Sequence, residues 1–524
     1  MVRPRTADAP MTRAVTGIAR PISAHMNRRA GVYLALFTAW YFALAVTWAS
    51  VRPLWHDELF TAYLLRVPSV GHLWAGLASG IDLMPPLYHL IVRVLEPVVG
   101  SSAVALRLPS LVGFWVMCLC VYRYVTRRLP AEFGFAAMLL PFCTSAAYYM
   151  AEARPYGLVL GLTGLALVSW QSLETRSRMR VVWLTALAVS LAAAITAHYY
   201  AVLLLLPLAA GEYVRSRSRR SFDWPVWVCL IAPLSVLLVL LPLLRTARSF
   251  APTFWTSPRI GETVLVYTNW FGRSDWVFVL VIGIVAAAMW QRSAAEGLEE
   301  RPSLPLADVV PVLALLALPI LGALIAFTTG AGFAWRYVLP GIIGFSIAGS
   351  YLLSRLAGHS PLLRIAMLAV LALNHETLFT SRDLLTGYTP VPLTTRIERG
   401  VLQQDDATAA VLVTSPHLFL ELFHYASPAV RARVRYLSNP ERAMALAGTD
   451  TADRALALLA EQVPIPVGRF PEDLPASSGY YLVDVEPLNW LARELVARHA
   501  RIALVAAGDG FAVYRVRPAR ELDW

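Results

Sequence analysis

The sequence predicts a polytopic α-helical membrane protein with a small α/β domain at its C-terminus. Three observations predict it. Of the 524 residues, 57% are hydrophobic and 15% charged, against about 45–50% and about 25% in soluble domains. Apolar runs of a length that crosses a bilayer, roughly 18 residues or more, recur along most of the chain. Past about residue 385 these runs give way to short strand-like and helix-like stretches separated by turn residues.

In chain order, residues 1–30 form a basic segment with no apolar run of its own, and the first span is read as uncleaved. About eleven spans are expected, centred in 31–50, 103–124, 133–150, 156–173, 181–197, 199–214, 225–243, 276–291, 308–328, 335–354 and 361–380. All 45 basic residues are arginine, and the net charge is +11. Arginines cluster before span one, after span two (Arg127, Arg128), after span four (Arg176, Arg178, Arg180) and after span six (Arg215 to Arg220). These loops alternate, so they share one face, and that face is expected to be cytoplasmic. The charge is therefore read as a topology signal and not as nucleic-acid affinity. The four cysteines, Cys118, Cys120, Cys143 and Cys229, lie in apolar runs without metal-ligand or disulfide spacing and are expected to be packing thiols.

Two outward segments are substantial. Residues 51–102 mix polar and apolar positions at helical spacing around Pro85-Pro86, which predicts short helices lying on the membrane. Residues 385–524 form the expected α/β domain. In it, "AVLVTS" and "YYLVDV" read as buried strands. "ERAMALAGTDTADRALALLAEQ" and "NWLARELVARHA" read as helices, and "RIALVAAGDGFAVYRV" as a hairpin turning at Gly508–Gly510. No glycine-rich phosphate loop accompanies them.

The chemistry-bearing residues gather at the outer ends of the spans. "WHDELFTA" places Asp57 and Glu58 just after span one. "DLMPPLYHLIVR" adds Asp82 and Tyr88, and "EARPYGL" adds Glu152, Arg154 and Tyr156. "AHYYA" adds His198 and Tyr199, and "FAWRYVLP" adds Arg336 and Tyr337. Ionisable groups at the hydrocarbon edge are costly and suggest function. Two bland readings stand beside that one: Asp57 as the cap of a helix over 59–65, and His198 with its tyrosines as part of an interfacial aromatic belt. A carboxylate can take a proton from a hydroxyl, and fixed cations can hold a phosphate as it leaves. A sugar carried on a lipid phosphate needs both, and its tail needs the membrane.

These motifs resemble the GT-C class of polytopic glycosyltransferases, specifically the family 39 type that includes protein O-mannosyltransferases, and more distantly the lipid A aminoarabinose transferases. The resemblance spans about residues 30 to 350. "WHDELFTA" looks like the acidic first-loop motif, "DLMPPLYHLIVR" like the Asp-x-His-Pro-Pro-Leu-Tyr segment, "ALRLPSLVGF" like a second-span start, and "EARPYGL" like a fourth-span motif. The resemblance implies that Asp57 is the catalytic base with Glu58 in support. It further implies an inverting transfer from a polyprenyl-phosphate donor at the outer face of a bacterial cytoplasmic membrane, with the lipid phosphate leaving into Arg154 and Arg336. Asp82, Tyr88, Glu152, Tyr156, His198, Tyr199 and Tyr337 complete the substrate-binding set. Met84 stands where members often carry His, which leaves any function of that His, including metal binding, without its residue here. No cofactor is assigned; a divalent cation is the one candidate. Sugar and acceptor (protein, lipid or glycan) are open. The rival readings are a polysaccharide polymerase or ligase with a similar donor, a transporter or flippase using the acids as proton relays, and an anchor displaying the tail. A transporter should carry its charges near mid-span, and here they cluster at span ends.

Overall fold

The computed structural model describes residues 24–175, 178–256, 260–271, 304–357, 361–378, 392–404, 406–475, 479–485, 489–508 and 510–517. The expected span at 276–291 and most of the basic N-terminus lie outside these. Helices dominate up to residue 378. α1 (Ala30–Val51) has 22 residues; at ~1.5 Å per residue this is about 33 Å, enough for a ~30 Å hydrocarbon core. It buries one narrow stripe, Phe37, Tyr41, Ala45 and Ala49, at four-residue spacing, and leaves its other faces open.

The segment 51–102 forms three short helices, as its spacing predicts: α2 (His56–Leu64), α3 (Val70–Ser79) and α4 (Leu87–Val99). α5 (Ala103–Thr126) follows; of the three single helices long and apolar enough to cross a membrane among the described residues, it is the most enclosed. It crosses α7 (Tyr156–Ser172) almost backbone to backbone. A Cβ on Gly113 would stand 2.4 Å from the Gly157 carbonyl oxygen, and one on Gly161 2.4 Å from that of Gly113. Small residues permit this close approach between apolar helices.

Between them, α6 (Ala131–Leu139) runs on through a 3₁₀ turn to Cys143 and then bends by 83° into the 3₁₀ segment Ser145–Ala151. Thr144 makes the bend in extended conformation, donating to the Pro141 carbonyl at 2.7 Å and accepting from Ala146 N at 3.3 Å. The bend directs residues 152–154 against α2. α8 (Arg180–Ala197) and α9 (Leu205–Arg219) continue the bundle. Among the described residues, α1, α5 and α8 are each long and apolar enough to cross a membrane, and three bent helix pairs also qualify if each counts as one span. The arginines expected on the opposite face lie at the far end of α5: Arg128 pairs with Asp308 at 2.6 Å and with Glu174 at 2.5 Å.

The C-terminal domain is a six-stranded sheet in the order β3-β2-β1-β4-β6-β5. β1 (Val411–Val413), β2 (Val434–Ser438), β3 (Val467–Arg469) and β4 (Tyr480–Asp484) are parallel. β5 (Arg501–Gly508) and β6 (Phe511–Arg517) form the expected antiparallel hairpin, with Asp509 of its turn outside the described residues. β2 and β3 were not anticipated from the sequence. The long expected helix over 441–462 is two helices, Pro440–Ala447 and Thr451–Gln462, parted at Gly448, whose φ of 74° suits glycine.

This domain sits directly on α2. The hydroxyl of Tyr425, on helix Pro416–Tyr425, accepts from Leu54 N at 2.6 Å. Thr449 and Thr451 donate to the Thr253 carbonyl at 2.8 and 3.2 Å, and Arg454 lies 3.8 Å over the Phe250 ring. The two bodies enclose a cleft between them, and Asp57 is at its floor.

Candidate active site

The start of α2 divides the two acids. Trp55 is the N-cap residue, and the Glu58 side chain accepts from Trp55 N at 3.2 Å. Capping therefore falls to Glu58, which satisfies the N–H of the residue at the helix start, and Asp57 is left free of it. Glu58 is wholly buried. Arg107 donates from Nε and Nη2 to its two oxygens at 2.7 and 2.6 Å. Ala153 N donates to it at 2.6 Å, and Arg52 approaches at 3.5 Å. Arg107, also fully buried, spends its remaining donors on the carbonyls of Ala49, Arg52 and Pro53 at 2.7, 2.8 and 3.0 Å. The Glu58–Arg107 pair thus ties α1, α2, α5 and the 152–154 turn into one corner.

Asp57, with its side chain 22% exposed, faces a cavity of about 480 Å³. Its Oδ2 lies 3.5 Å from Arg336 Nη2 and its Oδ1 3.5 Å from His56 Nε2. Asp82, Arg154, Arg336 and Tyr337 line the same cavity, together with Trp55, Met84 and Trp255. Arg154 is committed to Asp82 at 2.6 and 3.2 Å and also reaches the Thr61 hydroxyl at 3.3 Å and the Asp57 carbonyl at 3.4 Å. Burial opposes ionisation of Asp82, but Arg154 and His89, the latter 3.3 Å away, outweigh it and hold the carboxyl below the usual range. Arg336 donates from Nε to the Tyr156 hydroxyl at 2.9 Å and stands over the Trp255 ring.

The other expected residues stand behind the cavity wall. Tyr88 donates to the Leu106 carbonyl at 2.7 Å. His198 accepts from Tyr200 N at 3.2 Å and packs on Tyr156 and Tyr337; burial, then Arg154 and Arg336, push its imidazole down to about 3. Tyr199 is half-buried beside it. Glu152 is fully buried, and neither carboxyl oxygen has a hydrogen-bond partner among the described residues. Burial and neighbouring Glu58 push its carboxyl up to about 8, so it is protonated at neutral pH.

Sequence reasoning missed Arg107, His56, His89 and His417. For Arg107 a signal existed: an arginine inside an apolar run needs a partner. His417 has none, because only the docking of the C-terminal domain brings it 3.9 Å, ring to ring, from His56. Among the described residues no three of His, Cys, Asp and Glu group closely enough to hold a metal ion.

No protein-family model and no curated protein matches this sequence. Solved structures do match. Crystal structures of ArnT from Cupriavidus metallidurans, one without ligand and one bound to undecaprenyl phosphate, superpose with TM-scores of 0.58 and 0.54 at 14% identity. Each match covers 93% of this chain and 98% of the other. The chain therefore has the ArnT fold over nearly its whole length, in agreement with the GT-C architecture expected from the motifs.

Proposed function

We propose that the chain is a membrane glycosyltransferase of the GT-C class. It moves a sugar from a polyprenyl-phosphate donor to an acceptor hydroxyl, with inversion, at the outer face of the bacterial cytoplasmic membrane. The observation that carries this reading is Asp57. It is a carboxylate relieved of helix capping, partly open to a cavity, with an arginine 3.5 Å from it. The motif resemblance to family 39 and the shared fold with ArnT, a protein crystallised with undecaprenyl phosphate, supply the donor class.

In this mechanism Asp57 accepts the acceptor's hydroxyl proton. The freed oxygen forms a bond to the anomeric carbon, the carbon–phosphate oxygen bond breaks, and its electron pair departs on the lipid phosphate. Arg336 takes that charge. It is better placed for this than Arg154, whose guanidinium is held by Asp82. Arg154 and Asp82 fix the turn opposite α2, and Glu58 acts through position, holding the backbone that presents Asp57.

Binding of undecaprenyl phosphate to the purified protein tests the donor half. Arg336→Ala removes a charge-assisted contact of roughly 1.5–3 kcal/mol, so affinity should fall about 10- to 100-fold. Unchanged affinity would remove Arg336 from the phosphate site.

A further inference from the structure

The cavity above Asp57 does not end at the membrane body. It runs upward into the C-terminal domain, where Ser415, His417, Tyr436, Asp453, Asn489 and Trp490 line it. Their place in the sheet is specific. β1 continues through the sheet to β2 and β3 on one side, and the chain then returns to β4 on the other. The carboxyl ends of β1 and β4 thus flank a topological switch point, where open parallel sheets bind their ligands. Ser415 follows the end of β1, and Asn489 follows the end of β4. Behind them the Thr414 hydroxyl donates to Asp484 Oδ1, and Asn489 Nδ2 reaches Thr414 Oγ1 at 3.3 Å and Asp484 Oδ1 at 3.4 Å.

Three buried polar atoms at this crevice have no hydrogen-bond partner among the described residues: Asp484 Oδ2, His417 Nδ1 and Trp490 Nε1. Buried polar atoms are normally paired. His417 spans the two halves of the cavity, since its ring lies against His56, the neighbour of Asp57.

The lining also states what the crevice does not suit. Among the described residues, the only arginines that line the cavity, Arg154 and Arg336, are at its membrane end. The crevice presents a carboxyl group, Asp453, that accepts from Tyr436 and Ser438 at 2.5 and 2.7 Å. The helix start beside it makes no phosphate cradle: Pro416 has no N–H, and Ser415 caps Leu418 N. Besides Ala443, Ala447, Ala452 and Ala455, what remains is hydroxyl, amide and imidazole groups with the indole of Trp55, a combination that pairs with sugar hydroxyls and stacks on a sugar ring.

The geometry points to the C-terminal domain as the acceptor half of the active site: its switch-point crevice binds a neutral, polyhydroxylated acceptor head, a sugar or polyol, and hangs the reacting hydroxyl over Asp57. This rests on the transferase reading for the word acceptor but not for the binding site itself. A volume of about 480 Å³ lies within the ~300–1,000 Å³ usual for small-ligand sites.

The test uses the full chain in detergent, with ligand-observed NMR on a panel of neutral methyl glycosides and on inorganic phosphate. Two variants accompany the wild type. Asn489→Ala removes a crevice hydrogen-bonding group, and Ala447→Trp fills the crevice from an exposed position. At least one glycoside should bind wild type, about tenfold more weakly to Asn489→Ala, and not measurably to Ala447→Trp. Melting temperatures confirm that both variants fold, and binding should survive Asp57→Asn. Binding of phosphate without any glycoside, no glycoside binding at all, or glycoside binding that both variants retain would overturn the proposal. Undecaprenyl phosphate, titrated separately, should bind all four proteins. Its failure to bind wild type would sink the donor assignment while leaving a glycoside site in place.

Discussion

Exchanging Glu58 for Gln should destabilise the protein far more than it slows the chemistry of the molecules that remain folded. Glutamine keeps the shape of the side chain and one acceptor oxygen, so the contact with Ala153 N or Trp55 N can persist. What it removes is the negative charge opposite Arg107, which is fully buried and 2.6 to 2.7 Å from both carboxyl oxygens. Breaking one side of a buried pair costs ~3–5 kcal/mol, because the partner's charge stays behind unpaired. Three backbone carbonyls also face Arg107 and soften this, which places the expected loss near ~3 kcal/mol. Arg107→Met should cost a similar amount by stranding Glu58. The double variant should recover part of the sum, because neither charge is then left alone, and the cycle reads the coupling directly. Melting temperature in detergent, with transfer rate normalised to folded protein, is the assay. Full stability of Glu58→Gln together with loss of turnover would refute this reasoning and make Glu58 a participant in the reaction.

Arg154→Ala should likewise lower the melting temperature, since among the described residues it leaves the buried Asp82 carboxylate with only His89, 3.3 Å away, beside it; adding Asp82→Asn should restore part of the loss, and a double variant no more stable than Arg154→Ala would break the link. Glu152 carries a pH signature. Its folded carboxyl is raised to about 8 by burial and by Glu58, so the folded state holds a proton that the unfolded state gives up at a lower pH. The stability this contributes is present below the ordinary Glu range and is lost as pH rises to about 8, on the order of a few kcal/mol. Glu152→Gln should therefore gain stability relative to wild type between acidic and alkaline pH; a difference that stays flat with pH would show that Glu152 is paired and ionised.

How much of this was legible in the sequence depended on the range of the interactions. The short helices of 51–102 and the terminal hairpin follow from local periodicity, and both formed; of the expected spans, three are single long apolar helices among the described residues and three more are bent pairs, while the one at 276–291 lies outside them. The division of labour between Asp57 and Glu58 was not legible, since it depends on Arg107, 49 residues beyond Glu58. The same holds for Arg154: as a cation at a helix start it read as a phosphate ligand, yet Asp82, 72 residues away, already holds it. The bend at Thr144 interrupts a run that reads as one continuous span, because its composition is apolar on both sides of the break. β2 and β3 escaped notice because Arg435 breaks the apolar run of the one and Gly468 and Arg469 leave the other almost none, whereas β1 and β4, of the same lengths, are nearly unbroken apolar runs. The reach of the cavity into the C-terminal domain depends wholly on docking, which leaves no local mark on "TSPHLF".

The central claim is that Asp57 is the base of a sugar transfer from a lipid phosphate. The direct measurement is turnover by purified protein supplied with radiolabelled polyprenyl-phosphate sugars and cell-envelope acceptors, comparing wild type with Asp57→Asn. Asparagine retains shape and a hydrogen-bonding oxygen but cannot accept the proton. Turnover should fall by roughly 10²- to 10⁴-fold, with melting temperature and undecaprenyl phosphate binding essentially unchanged, since Glu58, not Asp57, satisfies the backbone N–H at the helix start. Near-normal turnover by Asp57→Asn would contradict the account and pass the role of base to another acid of the site.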